Sequence, residues 1–262
     1  ELGSVGMVVG ATVGDAVERL GLDLAAANAP LLAPGVGAQG ASGQDVRAVF
    51  GADQPLFKGK PWYVDSHDGG ADSAQVFAAA GYRFLHIGLQ FDAPDASLEW
   101  ASAVMRRYPG LPTIISTHDY MSKEGERVAN PMIDGHRVDP IHNTPEMVWD
   151  KLIRRHDQVF LVLCGHQHGQ AMRVDQNDAG HQVHQVLADY QDRGQSAIDA
   201  GVQAAYPVGI GDGWMRLMRF DFGGPRISRW RFRAAEPKNG PSSSIAPLMR
   251  DPARRGGAYA CD

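Results

Sequence analysis

Between Val46 and Arg233 the chain alternates two textures. Short apolar or β-branched runs, bounded by Gly, Pro and polar residues, predict strands at RFLHIGLQF (83–91), PTIISTH (112–118) and VFLVLC (159–164). Two segments between them carry apolar residues at helical spacing. In SLEWASAVMRRYPG (97–110), Leu98, Trp100, Ala101 and Met105 share a face, Ser97 is placed to cap, and Pro109-Gly110 end the helix. TPEMVWDKLIRRHDQ (144–158) repeats that design. Strand, helix, strand, helix, strand with short connections predicts a parallel sheet whose strand ends gather ligands. After Gly169 the pattern becomes strict alternation in AMRVDQ, HQVHQVLADY, WMRLMRFDF and RISRWRFR, which predicts antiparallel strands rather than further βα units.

The flanks are different. Residues 1–47 are rich in Gly, Ala, Val and Leu; DAVERLGLDLAAANAP (15–30) predicts one helix ended by Pro30, and LLAPGVGAQGASGQD (31–45) a loop, with no chemical motif in either. Residues 235–262 are rich in Pro, Ser and Gly and read as a mobile tail. The middle, 48–234, is therefore the expected domain. Glu1 opens the chain without an initiator Met or a signal pattern, which points to a processed or partial chain.

Composition narrows the function. A net charge of −5 gives no footprint for nucleic acid, and no apolar stretch approaches the ~20 residues of a membrane span. Two cysteines cannot build a disulfide framework, and Cys164 sits in an apolar run where packing is the expected role.

The candidate chemistry lies at the ends of two strands. His118 closes PTIISTH, and VFLVLC runs into Gly165-His166-Gln167-His168. Neighbouring strands are ~4.8 Å apart, so His118, His166 and His168 can converge on one metal site once the chain leaves the pleat, with Gly165 expected to permit the turn. Asp119 and Tyr120, beside His118, are candidates for contacts to the ligands or to substrate.

This arrangement resembles the last two motifs of the calcineurin-like metallophosphoesterases. The likeness extends through GYRFLHIGLQF, LEWASAVMRRYPGLPTIISTHDY, VFLVLCGHQHG, VHQVLADYQ and GDGWMRLMRFDF, about 48–233, and is similar to a subgroup of secreted bacterial members. It implies an α/β sandwich of two mixed β-sheets flanked by helices, here lacking its first strands. It also implies a hydrolase of phosphoester bonds, with a small-molecule or nucleotide substrate and a secreted or periplasmic location. His118 and His166 would ligate the second of two divalent ions (Zn, Mn, Fe or Mg) and His168 the first. The pair of ions would activate a hydroxide for in-line attack. ADYQ (188–191) and GDGW (211–214) would form loops near the site.

The family's earlier Asp-x-His, metal-bridging Gly-Asp and Gly-Asn-His motifs do not occur before residue 60. Three neutral imidazoles do not balance two divalent cations, so the expectation is a chain carrying only the carboxyl-terminal half of the site. The alternative is a non-catalytic remnant binding one metal or none. Asp65-Ser66-His67 has the Asp-x-His form, but DSHDGGADS reads as a polar loop before a helix. His86 reads as a satisfied sheet residue, and His181 and His184 as ordinary members of an antiparallel strand. His136, His142 and His156 fall in turn-like or helix-end surroundings. Metallo-β-lactamase-like sites would need Asp-His after His-x-His, where Gly169-Gln170 stand. Amidohydrolase barrels place His-x-His before many βα units rather than before antiparallel strands.

Overall fold

Strands β3 (Tyr63–His67), β4 (Asp72–Ala79), β5 (Tyr82–Gly88), β6 (Thr113–Ser116), β7 (Val159–Cys164), β8 (Gly169–Gln176) and β9 (Gln182–Asp189) form one mixed sheet in the order β3-β4-β5-β6-β7-β9-β8. The structure is a computed structural model that describes residues 7–8, 19, 21, 31–32, 51–55, 57–79, 81–131, 134–190, 215–221 and 229–235. β5, β6, β7 and β9 run parallel, whereas β3, β4 and β8 pair antiparallel with their neighbours. Gly88, Ser116, Cys164 and Asp189 therefore end their strands on one edge. Two small sheets accompany this one: β1 (Met7–Val8) pairs parallel with β2 (Leu31–Leu32), and β10 (Met215–Asp221) antiparallel with β11 (Arg229–Ala235).

Helix α1 (Asp95–Arg107) buries Leu98, Ala101, Val104 and Met105, spaced to make one stripe. Asp95 in its first turn and Arg106 and Arg107 in its last oppose the helix dipole. A four-residue helix α2 (Gly135–Val138) lies in the connection after β6, followed by α3 (Pro145–Lys151). Ala74, Ile87, Ile115 and Val162 line up across four strands. They join a single apolar cluster with the α1 stripe and with Val148 and Trp149 of α3. The helices thus seal one face of the sheet.

Several sequence expectations change. Where two mixed sheets are expected, the described residues form one mixed seven-stranded sheet and two two-stranded ones. β8 pairs antiparallel with β9, and β10 with β11, as the alternation predicts, but β9 also joins β7 in parallel on its other side. Leu31-Leu32, expected in a loop, pair with Met7-Val8. The predicted second helix stops at Lys151, and a 3₁₀ turn at Ile153–Arg155 carries the chain to β7. Its start is firm, because Thr144 Oγ1 accepts from Met147 N at 3.3 Å and Pro145 occupies the first turn. Pro94, not Ser97, holds the cap position of α1. Ser97 is instead fully buried and donates to Asp72 Oδ2 at 2.6 Å. The stretch from Asp65 is not a loop before a helix: Asp65, Ser66 and His67 pair with β4, and the Ala-rich segment after them is strand. Pairing on both sides of β4 and the complete burial of Asp72 override the helical propensity of its alanines. The expected helix at 15–30, the GDGW loop and the tail after Ala235 lie outside the described residues, apart from Arg19 and Gly21.

His86 occupies the sheet position expected of it. In the tautomer that satisfies both partners, Nδ1–H donates to Gln75 Oε1 at 2.7 Å and Nε2 accepts from the Ser116 hydroxyl at 2.8 Å. Burial lowers its pKa to about 4. The unfolded chain therefore binds a proton that the folded chain refuses, so this stability is complete above about pH 6.5 and is lost as pH falls from there through about 4. Urea unfolding between pH 7.5 and 4 should show that decline, worth at most about 3 kcal/mol from this group. His86→Gln should flatten the slope but not abolish it, since burial also lowers the pKa of His156 and His184. An unchanged slope in the variant would assign the acid sensitivity elsewhere.

Candidate functional site

The β6–β7 ladder does not stop where the strands do. Thr117 N donates to Leu163 O at 3.1 Å and Gly165 N to His118 O at 3.0 Å, so the two segments stay stitched together past the pleat. Side chains on these extensions are therefore held as neighbours. The rings of His118 and His166 meet with centroids 4.7 Å apart at 50°. Phe91, on the segment leaving β5, packs edge-on against His118 at 6.2 Å. The turn itself falls on the histidine, not the glycine. His166 has φ +63°, the left-handed region that a non-glycine residue enters at a cost, and Gln167 N closes the turn on Gly165 O at 2.8 Å. Gly165 was expected to supply that freedom and does not.

The surroundings of His118 favour its neutral imidazole. Burial lowers the His118 pKa first and the neighbouring His166 lowers it further, with Asp119 and Asp189 opposing. His166 Nε2 is buried and has no hydrogen-bond partner among the described residues. A buried ring nitrogen left over in this way costs free energy unless something meets it.

Asp119 is 3% exposed, and each of its oxygens accepts one hydrogen bond from the chain. Its Oδ1 accepts from Gln167 Nε2 at 2.8 Å and its Oδ2 from Asn130 N at 2.6 Å. It clamps the His166–His168 turn to the 119–130 loop. That loop is anchored by Arg127, whose Nε and Nη2 donate to the two oxygens of Glu146 at 2.8 and 2.9 Å and whose Nη1 donates to Asp175 at 2.6 Å. The guanidinium also stacks 4.4 Å above the Trp149 ring. Burial works against this charge, but the carboxylates outweigh it and hold the Arg127 pKa above its ordinary value. Tyr120 turns out to belong to the core: it is 1% exposed, and its hydroxyl donates to Gln185 Oε1 at 3.0 Å.

Of the three histidines predicted as ligands, the structure brings His118 and His166 into contact. His168 lies two residues further on, immediately before β8. Among the described residues no group of three or more His, Cys, Asp or Glu side chains is arranged to hold a metal ion. The unpartnered His166 nitrogen beside a second imidazole fits part of one metal's ligand set. It does not fit a complete two-metal centre, which needs bridging carboxylates. Asp65 and His67 lie on β3, four strand spacings from β7, or about 19 Å across the sheet. Both are engaged there, Asp65 with Arg107 and His67 Nδ1 with Asp72 at 2.9 Å. Asp189 belongs to the ADYQ stretch that the resemblance puts in a loop near the site, although Ala188 and Asp189 are the last residues of strand β9. It ends β9 on the same edge, acts on His118 electrostatically, and places Oδ2 3.9 Å from where a Gly165 Cβ would stand. Beyond that resemblance, its signal in the sequence is an acidic residue closing an apolar run.

No protein-family model matches the chain. It is similar to the uncharacterized protein YvnB of Bacillus subtilis, 25% identical over 178 residues, which is 66% of this chain and 12% of that protein. A shorter stretch is similar to orotidine 5'-phosphate decarboxylases. The identity is 65% over 54 residues with that of Salinispora arenicola, 21% of this chain and 18% of the enzyme, and 59% over 52 residues with that of Streptomyces coelicolor, 20% and 17%. The matched parts span less than a fifth of each of these relatives.

The left-handed turn gives a direct test of His166. His166→Gly removes the imidazole and the backbone strain together, whereas His166→Ala removes only the imidazole. The glycine variant should be the more stable of the two by about 1 kcal/mol in urea unfolding. The reverse order would mean that the turn is not left-handed in solution.

Proposed function

We propose that this chain carries histidine ligands of a metal-dependent phosphoester hydrolase of the calcineurin-like kind. The observation that carries this is the His118–His166 contact at the carboxyl edge of two parallel strands, with His166 Nε2 buried and unpartnered. Both residues stand in the positions that the motif resemblance assigns to ligands, and His168 would complete the set. A bound divalent ion would supply Lewis-acid polarisation of a phosphoryl group and lower the pKa of water. The chain's own part is to present imidazole nitrogens in the neutral state, which the lowered His118 pKa favours. Phe91 covers the flank of one ring, and Asp189 adds a negative charge close by. Substrate would be a small-molecule or nucleotide phosphoester. Similarity to YvnB brings no activity with it, and the decarboxylase-like stretch is too short a part of those enzymes to bring theirs.

A second reading starts from the bridging carboxylates that a two-metal centre needs and that are not grouped with the histidines among the described residues: a non-catalytic fold that holds one metal or none. Charge balance decides between them for this polypeptide. Two divalent ions bring +4 against imidazoles that are neutral when ligating, so residues 1–262 alone should bind one transition metal and turn over little. Cobalt or zinc titration of the stripped protein should show about one equivalent bound, lost in His166→Ala. An aryl phosphate and its diester, assayed with Mn or Zn, should be hydrolysed far below the about 1–10³ per second of ordinary enzymes. Failure to bind any metal would remove the hydrolase reading. Fast turnover abolished by His166→Ala would show instead that this chain supplies the carboxylates of a complete site.

A further inference from the structure

A small cavity with room for about one water-sized body adjoins the β5 and β6 ends, and the histidine site makes no use of it. Its polar walls are Asp92, Thr117, Asp119 and Asn143, and Leu89 and Val148 supply apolar ones. Asp92 is 4% exposed and Asp119 3%, and neither forms an ion pair among the described residues. Their donors among the described residues are neutral N–H groups: Gly135 N to Asp92 Oδ2 at 2.6 Å, and Gln167 and Asn130 to Asp119. Asn143 is 1% exposed. Its Nδ2 donates to Ala93 O and Asp95 Oδ1, both at 2.9 Å, and its Oδ1 has no partner among the described residues. Thr117 spends its hydroxyl proton on Gln90 O at 3.3 Å.

Asp92, Asp119 and Asn143 therefore each offer acceptor oxygens at this space, and two of the three are carboxylates, while the Tyr120 hydroxyl in its wall spends its proton on Gln185 Oε1. A water molecule would satisfy the Asn143 oxygen but bring no charge to two buried anions, each of which costs several kcal/mol to desolvate. A hard cation does both. Carboxylate and amide oxygens are the ligands calcium takes, and its flexible coordination suits an irregular cavity. Magnesium would need its own waters, for which there is no room.

We propose that this cavity binds a single divalent cation of the calcium class, held by Asp92, Asp119 and Asn143. The ion would tie the segment leaving β5 to the segment leaving β6 and to the turn before α3. It does not depend on the histidine reading, because it uses oxygen ligands and a different metal class.

The test is calorimetric and thermal titration of the full chain, stripped of metal, with calcium, magnesium and sodium. One calcium should bind and raise the melting temperature by several degrees, with a much weaker response to sodium. Asp92→Asn keeps the side-chain shape and an oxygen for Gly135 N, and should lower calcium affinity at least tenfold. Asn143→Leu should do the same; if it fails to fold, Asp92→Asn alone decides. His166→Ala should lose transition-metal binding and keep the calcium response. No calcium response, or one that survives Asp92→Asn, overturns the proposal. So does a response that disappears with His166→Ala instead, which would place the ion at the imidazoles.

Discussion

Because β5, β6, β7 and β9 are parallel, whatever follows each strand emerges on one edge of the sheet, and the candidate histidine pair stands on two of those four exits. Between β6 and β7 the constraint is tighter still. Two backbone hydrogen bonds continue the ladder beyond the last strand residues, which fixes His118 and His166 as neighbours before any side chain interacts. Ring contact, the displaced His118 pKa and the leftover nitrogen of His166 all follow from that register. A one-residue slip would send both imidazoles to other surroundings.

Holding that edge requires polar groups to be buried, and the structure balances them in different ways. Arg127 is answered by Glu146, Asp175, Gln185 and the Trp149 ring, so a buried cation anchors the loop beside the site. Asp72 accepts from Gln90 N, Gln90 Nε2, Ser97 and His67, tying β4 to the segment after β5 and to α1. Among the described residues Asp92 and Asp119 accept from neutral donors alone, and burial raises the Asp92 pKa with Asp119 adding to it. The first two arrangements are closed networks. The third is open, which is why the cavity beside it matters.

Similarity to YvnB and to the decarboxylases covers small parts of those proteins, and neither likeness fixes an activity. The functional reading therefore stands on residues. It rests on two histidines whose adjacency is a property of the sheet, and on a motif resemblance that assigns them a role. The decarboxylase-like stretch is a likeness that the hydrophobic pattern and motif spacing do not suggest.

The sequence by itself determined β5, β6, β7 and α1 closely, because apolar runs and a helical stripe are local patterns that burial enforces directly. It also determined that His118 and His166 leave strands at comparable points. Tertiary structure decided the rest. The alanine-rich segment after Asp72 is strand because it has partners on both sides, and no local propensity reports a partner. β9 pairs antiparallel with β8 as alternation suggests, but its other edge joins β7 in parallel, a choice of neighbour that alternation cannot encode. The left-handed turn fell on His166 rather than Gly165, since the hydrogen bond from Gly165 N to His118 O holds the glycine in the ladder. Tyr120 went to the core and Asp189 to the candidate site for the same reason. Which end of a strand a residue occupies is written in the sequence, but what it faces depends on chain segments dozens of residues away.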